Sequence, residues 1–152
     1  TTSLCLEYLD ENPPKNLDVI DFGCGTGILA IAAAKLNANS VLAIDSDPQA
    51  VISSQGNVIN NRCDEIINTI HSTDQDNASR CDLLMANILA NPIIELEPLF
   101  SEFLNSNGTI LLSGIVKGQV EKVVQHYSKN FTDIKLANKD EWYRISATRK
   151  AY

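Results

Sequence analysis

Leu17-Asp18-Val19-Ile20-Asp21-Phe22-Gly23-Cys24-Gly25-Thr26-Gly27-Ile28-Leu29-Ala30 is the stretch that decides how this chain reads. An apolar run from Leu17 to Phe22 ends in three glycines at alternate positions. The segment after them, Ile28 to Leu36, is rich in Ala, Ile and Leu with a single Lys. That is the pattern of a strand entering a glycine loop and then a helix buried on most sides. A second strand at Val41 to Ile44 follows closely, so the helix is the crossover between parallel neighbours. Such a loop lets a ligand approach the backbone and meet free N–H groups at a helix start.

Working outward, a helix near residues 3 to 11 precedes this unit and stops at Pro13 and Pro14. Asp47 before Pro48 marks a helix start, because the carboxylate accepts from free backbone N–H groups and proline fits the first helical position; the helix spans about 48 to 60. Further strands are expected at Glu65 to Ile70, Leu83 to Ile88 and Thr109 to Ser113. A helix near 92 to 105 should kink or split at Pro98, and Val120, Val123, Val124 and Tyr127 mark the last helix. His71 to Arg80 reads as a loop without pattern. Phe131 to Ala137 and Trp142 to Thr148 are separated only by Asn138-Lys139-Asp140-Glu141, which makes them antiparallel. Trp142 and Tyr143 are expected to cover the edge of the sheet, with stacking on a ligand as the lesser alternative. The whole is one α/β domain, its sheet mostly parallel with an antiparallel strand at the C-terminal end.

Composition narrows the function. The chain has 152 residues, 44% of them hydrophobic, enough for one core. Twelve Lys plus Arg against nineteen Asp plus Glu leave a net charge of −7, which argues against direct nucleic-acid or anionic-membrane binding. The four cysteines contain no C-x-x-C pair, and His71 and His126 are far apart in sequence, so neither a zinc site nor a disulfide framework is expected. There is no run of 18 apolar residues and no signal-peptide pattern, so a cytoplasmic setting is expected. The start at Thr1, without methionine and directly in a helical pattern, suggests a fragment of something longer.

The loop is G-x-G-x-G, with Ile28 next, and so does not meet the dinucleotide fingerprint; nor does it carry the Lys of a P-loop. Asp21, two residues before the first glycine, is expected to face the mouth of the site, where its charge would repel a pyrophosphate and attract a cation. The alternative is that it bonds loop amides. S-adenosylmethionine, free of phosphate and carrying a sulfonium and an ammonium, suits such a strand end. Asp45, closing the second strand, can accept from two ribose hydroxyls, with Asp47 as the better helix cap. Asn87, closing the fourth strand, can both donate and accept, and so could hold the methionine part of the cofactor or orient an amine. Cys24 reads as a small packed residue rather than a nucleophile.

The segments Val19 to Ala30, Asp45-Ser46-Asp47-Pro48 and Ala86-Asn87-Ile88-Leu89-Ala90 resemble those of class I methyltransferases, and most closely of the bacterial ribosomal protein L-eleven methyltransferase family, PrmA. The similarity runs over essentially the whole chain. It implies a Rossmann-like, seven-stranded sheet with helices on both faces, and residues 1 to 152 as a cofactor-binding methyltransferase domain. It also implies methylation of lysine side chains and an N-terminal amine of a large-subunit ribosomal protein, with cofactor contacts at Thr2, Gly23, Asp45 and Asn87. The cofactor-binding set expected is Thr2, Asp21, Gly23, Cys24, Gly25, Asp45, Ser46 and Asn87; no catalytic base or metal is assigned. Family members carry an N-terminal substrate-recognition domain and a loop before the paired threonines that this chain lacks, so the chain alone is expected to be inactive on its protein substrate. The adenine contact has no evident acid, since the segment after the third strand reads His71-Ser72-Thr73-Asp74. Two alternatives stand beside this reading. One is an amide-directed methyltransferase of the release-factor glutamine type, which has Asn-Pro-Pro-Tyr where this chain has Asn87-Ile88-Leu89-Ala90; the other is a non-catalytic adenosyl-binding module.

Overall fold

The computed structural model describes residues 1–152. Its elements run α1 (Thr2–Glu11), β1 (Asp18–Phe22), α2 (Ile28–Lys35), β2 (Ser40–Asp45), α3 (Pro48–Asn60), β3 (Ile67–His71), β4 (Cys81–Asn87), α4 (Ala90–Glu95), α5 (Glu97–Phe103), β5 (Leu104–Val116), α6 (Val120–Tyr127), β6 (Phe131–Lys139) and β7 (Trp142–Arg149), with short 3-10 turns at Ser72–Asn77 and Lys117–Gln119. The seven strands form one sheet in the order β3-β2-β1-β4-β5-β7-β6. The first five pair parallel, and β7 runs antiparallel to both β5 and β6. The expected mostly parallel sheet with a reversed C-terminal strand is therefore the observed one. No helix is long and apolar enough to cross a membrane.

Strand alternation builds two cores. Val19, Val41, Ala43, Leu83, Met85 and Leu111 face α1, α2 and α3, while Ile20, Ile44, Leu84, Ala86, Ile110 and Leu112 face α4, α5 and α6. Successive strand side chains point to opposite faces, so one apolar run supplies both layers. Burying large side chains such as Phe100 and Tyr127 contributes about 1.5–3 kcal/mol each.

Several local expectations need adjustment. The helix near 92 to 105 is two helices that meet at Leu96, and Pro98 lies in the first turn of α5, where its missing N–H loses nothing. The strand β5 starts directly at Leu104, with a register irregularity before Thr109. The third strand begins at Ile67 and extends to His71, so His71 is a strand residue and not part of a loop. Trp142 and Tyr143 do not cover an edge, because β7 lies between β5 and β6.

Candidate functional site

In an open parallel sheet, ligands gather beyond the carboxyl ends of the strands, where the strand order reverses. Here β1 is followed in space by β2 on one side and β4 on the other, and the two best-placed cavities open at those ends. One, of about 460 Å³, is lined by Gly23, Asp45, Ser46 and Ser72 together with apolar groups including Ile88 and Leu89. The other, also about 460 Å³, is lined by Thr1, Asn87, Ile88, Leu89, Gly114 and Trp142. They share Ile88 and Leu89, so the end of β4 divides a single bipartite depression. Neither half is lined by Lys or Arg.

Two glycines allow the segment after β4 to sit there. Gly23 has φ +75, and a Cβ on it would lie 2.6 Å from Ile88 Cγ2; Gly114 has φ +87, and a Cβ on it would overlap the Ile88 carbonyl. Ile88 is thus wedged between the ends of β1 and β5, which only residues without a side chain permit.

Asp45 is pre-set by backbone. Its Oδ2 accepts the Gly25 N–H at 2.9 Å and its Oδ1 accepts the Asp47 N–H at 2.9 Å, while each oxygen retains a second lone pair for a ligand. Asp47 caps α3 through the Gln49 N–H at 2.9 Å, as its position before Pro48 implied. Asn87 donates from Nδ2 to Thr2 Oγ1 at 3.2 Å. Its Oδ1 is buried with no partner, a state that costs about 1–3 kcal/mol unless a ligand donor fills it. Ser113 Oγ donates to the Thr1 carbonyl at 3.2 Å, and α1 is tied down further by Arg144, whose Nη1 donates to the Leu4 carbonyl at 2.9 Å, and by the Lys139–Glu7 ion pair. The C-terminal hairpin therefore holds Thr1 and Thr2 over the site.

Asp21 does not face the mouth. It is 2% exposed, and its Oδ2 accepts the Ala30 N–H of α2 at 3.1 Å. Strand alternation explains the correction: Asp21 shares the face of Val19, which is packed under α1 and α2. Burial pushes its carboxyl up to about 7, the Ala30 N–H pulls the other way, and the charge of Asp45 adds to the rise. Cys24 is also buried, within the core under α1 and α2. Desolvation, with Asp21 adding to it, pushes its thiol up to about 12, which leaves it inert as a nucleophile. Of the expected residues, Gly23, Asp45, Ser46 and Asn87 line the cavities; Asp21 and Cys24 are buried away from them, and Thr2 and Gly25 bond to the lining residues Asn87 and Asp45.

Sequence reasoning passed over Ser72 and Leu89 as lining groups, and for Trp142 the lesser alternative, a place beside a ligand, is the one that agrees with its position in the cavity wall. Leu89 is 68% and Trp142 41% exposed. Their signal was present as large apolar residues at or just beyond strand ends, but which ends adjoin is set by sheet order and cannot be read locally.

The comparisons with known proteins agree with this geometry. A family model described as ribosomal protein L11 methyltransferase (PrmA) matches residues 1–150. The ribosomal protein L11 methyltransferases of Haemophilus influenzae (strain Rd) and Shewanella piezotolerans are 43% and 44% identical to this chain over 150 residues, which is 99% of this chain and 51% of theirs. The chain spans about half the length of these curated relatives. Among solved structures, the ribosomal protein L11 methylase of Lactobacillus delbrueckii subsp. bulgaricus superposes with a TM-score of 0.87 at 32% identity, covering 99% of this chain and 79% of that one. An RNA methyltransferase from Salinibacter ruber, in complex with S-adenosyl-L-homocysteine, shares the fold with a TM-score of 0.80 at 14% identity, over 100% of this chain and 94% of that one.

Proposed function

The chain belongs to the ribosomal protein L11 methyltransferase (PrmA) family, and on that premise we propose that it is the S-adenosylmethionine-binding domain of a protein N-methyltransferase acting on amino groups of a large-subunit ribosomal protein. Lysine ε-amines and an N-terminal α-amine are the targets proposed, and the cytoplasm is the setting. The observation that carries the reading is the bipartite depression. It offers a carboxylate in one half, an unpartnered buried amide oxygen in the other, and no cationic side chain in either. A dinucleotide would bring a pyrophosphate to this surface without a counter-charge; a cofactor with an ammonium and a sulfonium brings the donors and the positive charge that the acceptors lack.

Asp45 would hold the ribose hydroxyls, Gly23 would let the loop backbone approach the ligand, and Asn87 Oδ1 would accept an ammonium or amine N–H. Thr2 keeps the Asn87 amide from rotating, since it occupies Nδ2. Asp21 anchors the start of α2 beneath the loop. When bound, the cofactor would supply a methyl group on a positive sulfur for transfer to a neutral amine, with the homocysteine thioether as leaving group and the amine proton passing to solvent. Leu89 and Trp142 wall the approach, and water displaced from that wall by a bound substrate would favour the neutral amine. No side chain in the cavities is needed as a base, and positioning is the main contribution, worth about 7–11 kcal/mol where both partners are gripped.

That last requirement leads to the test. A radiolabelled methyl-transfer assay on purified ribosomal protein L11 would compare this chain with one extended at its N-terminus by the upstream half of a relative. The extended chain is expected to transfer methyl groups and the 152-residue chain to bind cofactor with little turnover. Equal turnover by the two would show that this domain recognises its substrate unaided, and no transfer by either would refute the activity.

A further inference from the structure

His71 ends β3 as the register neighbour of Asp45, and its two ring nitrogens bond in different directions. Nδ1 accepts the Thr73 backbone N–H at 3.2 Å and lies 2.9 Å from Thr73 Oγ1, while Nε2 lies 2.8 Å from the Ser46 carbonyl oxygen. A carbonyl can only accept, so Nε2 carries the proton; a nitrogen that accepts from a backbone N–H carries none. The ring is thereby held as the neutral Nε2–H tautomer.

The pairing of β2 with β3 ends at Asp45 and His71, so no backbone ladder fixes the segments beyond that point. Those segments supply Ser46 and Ser72, which line the same cavity. The imidazole joins them. It holds Ser46 directly through the carbonyl, and it holds Ser72 by closing the turn from His71 to Thr73 around it. Asp45 cannot do this alone, because its carboxylate is committed to the Gly25 and Asp47 amides on its own side of the cavity.

We propose that His71 is a positioning residue for the nucleoside half of the ligand: as a neutral cross-link between the ends of β2 and β3, it sets the separation of the Ser46 and Ser72 walls before the ligand arrives. The inference rests on the reading of this cavity as an adenosyl site. It requires no contact between His71 and the ligand, and it makes the affinity depend on a donor at Nε2 and an acceptor at Nδ1 together.

The experiment is a calorimetric titration of S-adenosylhomocysteine into the wild-type chain, His71→Ala, His71→Gln, Thr73→Val and the double variant His71→Ala/Thr73→Val, with ligand-free thermal midpoints measured alongside. His71→Ala is expected to weaken binding at least tenfold. His71→Gln, whose side-chain amide can still donate toward the Ser46 carbonyl, should recover to within threefold of wild type. Thr73→Val should lose about threefold, and the double variant should be no more than twofold weaker than His71→Ala, since Thr73 acts through His71 and the cycle is then non-additive. A folded His71→Ala that binds within twofold of wild type would overturn the inference, as would fully additive losses. Should His71→Ala fail to fold, unchanged affinity in Thr73→Val would overturn it equally. A wild-type chain that does not bind S-adenosylhomocysteine would overturn the adenosyl reading itself, whereas wild-type binding with an indifferent His71 would overturn only the cross-link.

Discussion

The two ends of β1 carry an aspartate each, three residues apart, in opposite circumstances. Asp18 Oδ1 accepts from Asn39 Nδ2 and Ser40 Oγ, both at 2.7 Å, and its backbone N–H reaches Asp82 Oδ2 at 3.0 Å. Those side-chain donors hold its carboxyl below the ordinary value. Asp21, at the other end, is buried with a single backbone donor, and its carboxyl is pushed up to about 7. The contrast extends to the neighbours. Asp82 Oδ1 is taken by Asn105 at 3.1 Å, whereas Asn87 Oδ1 has nothing. Where polar groups are satisfied they secure the fold; where they are held short of partners, stability is forgone and a ligand can supply what is missing.

The largest expected effect concerns Asp21 and pH. Its folded value lies above the unfolded one of 3.8, so the folded state binds the extra proton. The corresponding stability is fully present below about pH 4 and is lost as pH rises through about 7, a total of about 4 kcal/mol by linkage. Urea unfolding between pH 4 and 8 should show this decline in the wild-type chain and a flattened profile in Asp21→Asn. Identical profiles would place Asp21 with Asp18 and erase the contrast.

Next in size is Asp45→Ala, which removes the acceptor offered to the ligand. Charge-assisted bonds are worth about 1.5–3 kcal/mol each, and water will recover part of that. S-adenosylhomocysteine affinity should drop at least tenfold in a variant that stays folded. Asp18→Ala, at the opposite end of the sheet, should leave affinity unchanged; a loss of affinity there would mean that the division into a structural end and a ligand end is wrong.

The smallest effect sharpens the same division. Asp18→Ala loses two partly solvated hydrogen bonds and should destabilise the chain by about 1 kcal/mol at pH 7. Its folded value is lowered, so this contribution is present above about pH 4 and disappears as pH falls through and below that range, the opposite sense to Asp21. The difference in unfolding midpoint between wild type and Asp18→Ala should be larger at pH 7 than at pH 3.

Much of this was readable from local chemistry. The glycine loop, the Asp47-Pro48 helix start, the interruption at Pro98 and the short link before Trp142 each act over a few residues, and each left a local mark in the sequence. Asp21 was misplaced although the information existed, because strand alternation puts it on the face of Val19, and the attraction of a charge for the mouth of a site outweighed the pleat. His71 was not readable at all. Its partner Ser46 is 25 residues away in sequence, and the two meet only because β2 and β3 pair in one particular register. Trp142 belongs with it, since the last strand in the chain gives no local sign that it lies inside the sheet rather than at its edge.

The assignment of the ligand end is tested most directly by calorimetric titration of the unmodified 152-residue chain with S-adenosylmethionine, S-adenosylhomocysteine and NAD side by side. Saturable binding of the two adenosyl compounds, with no comparable binding of NAD, is the expected result. Tighter binding of NAD than of either adenosyl compound would contradict it.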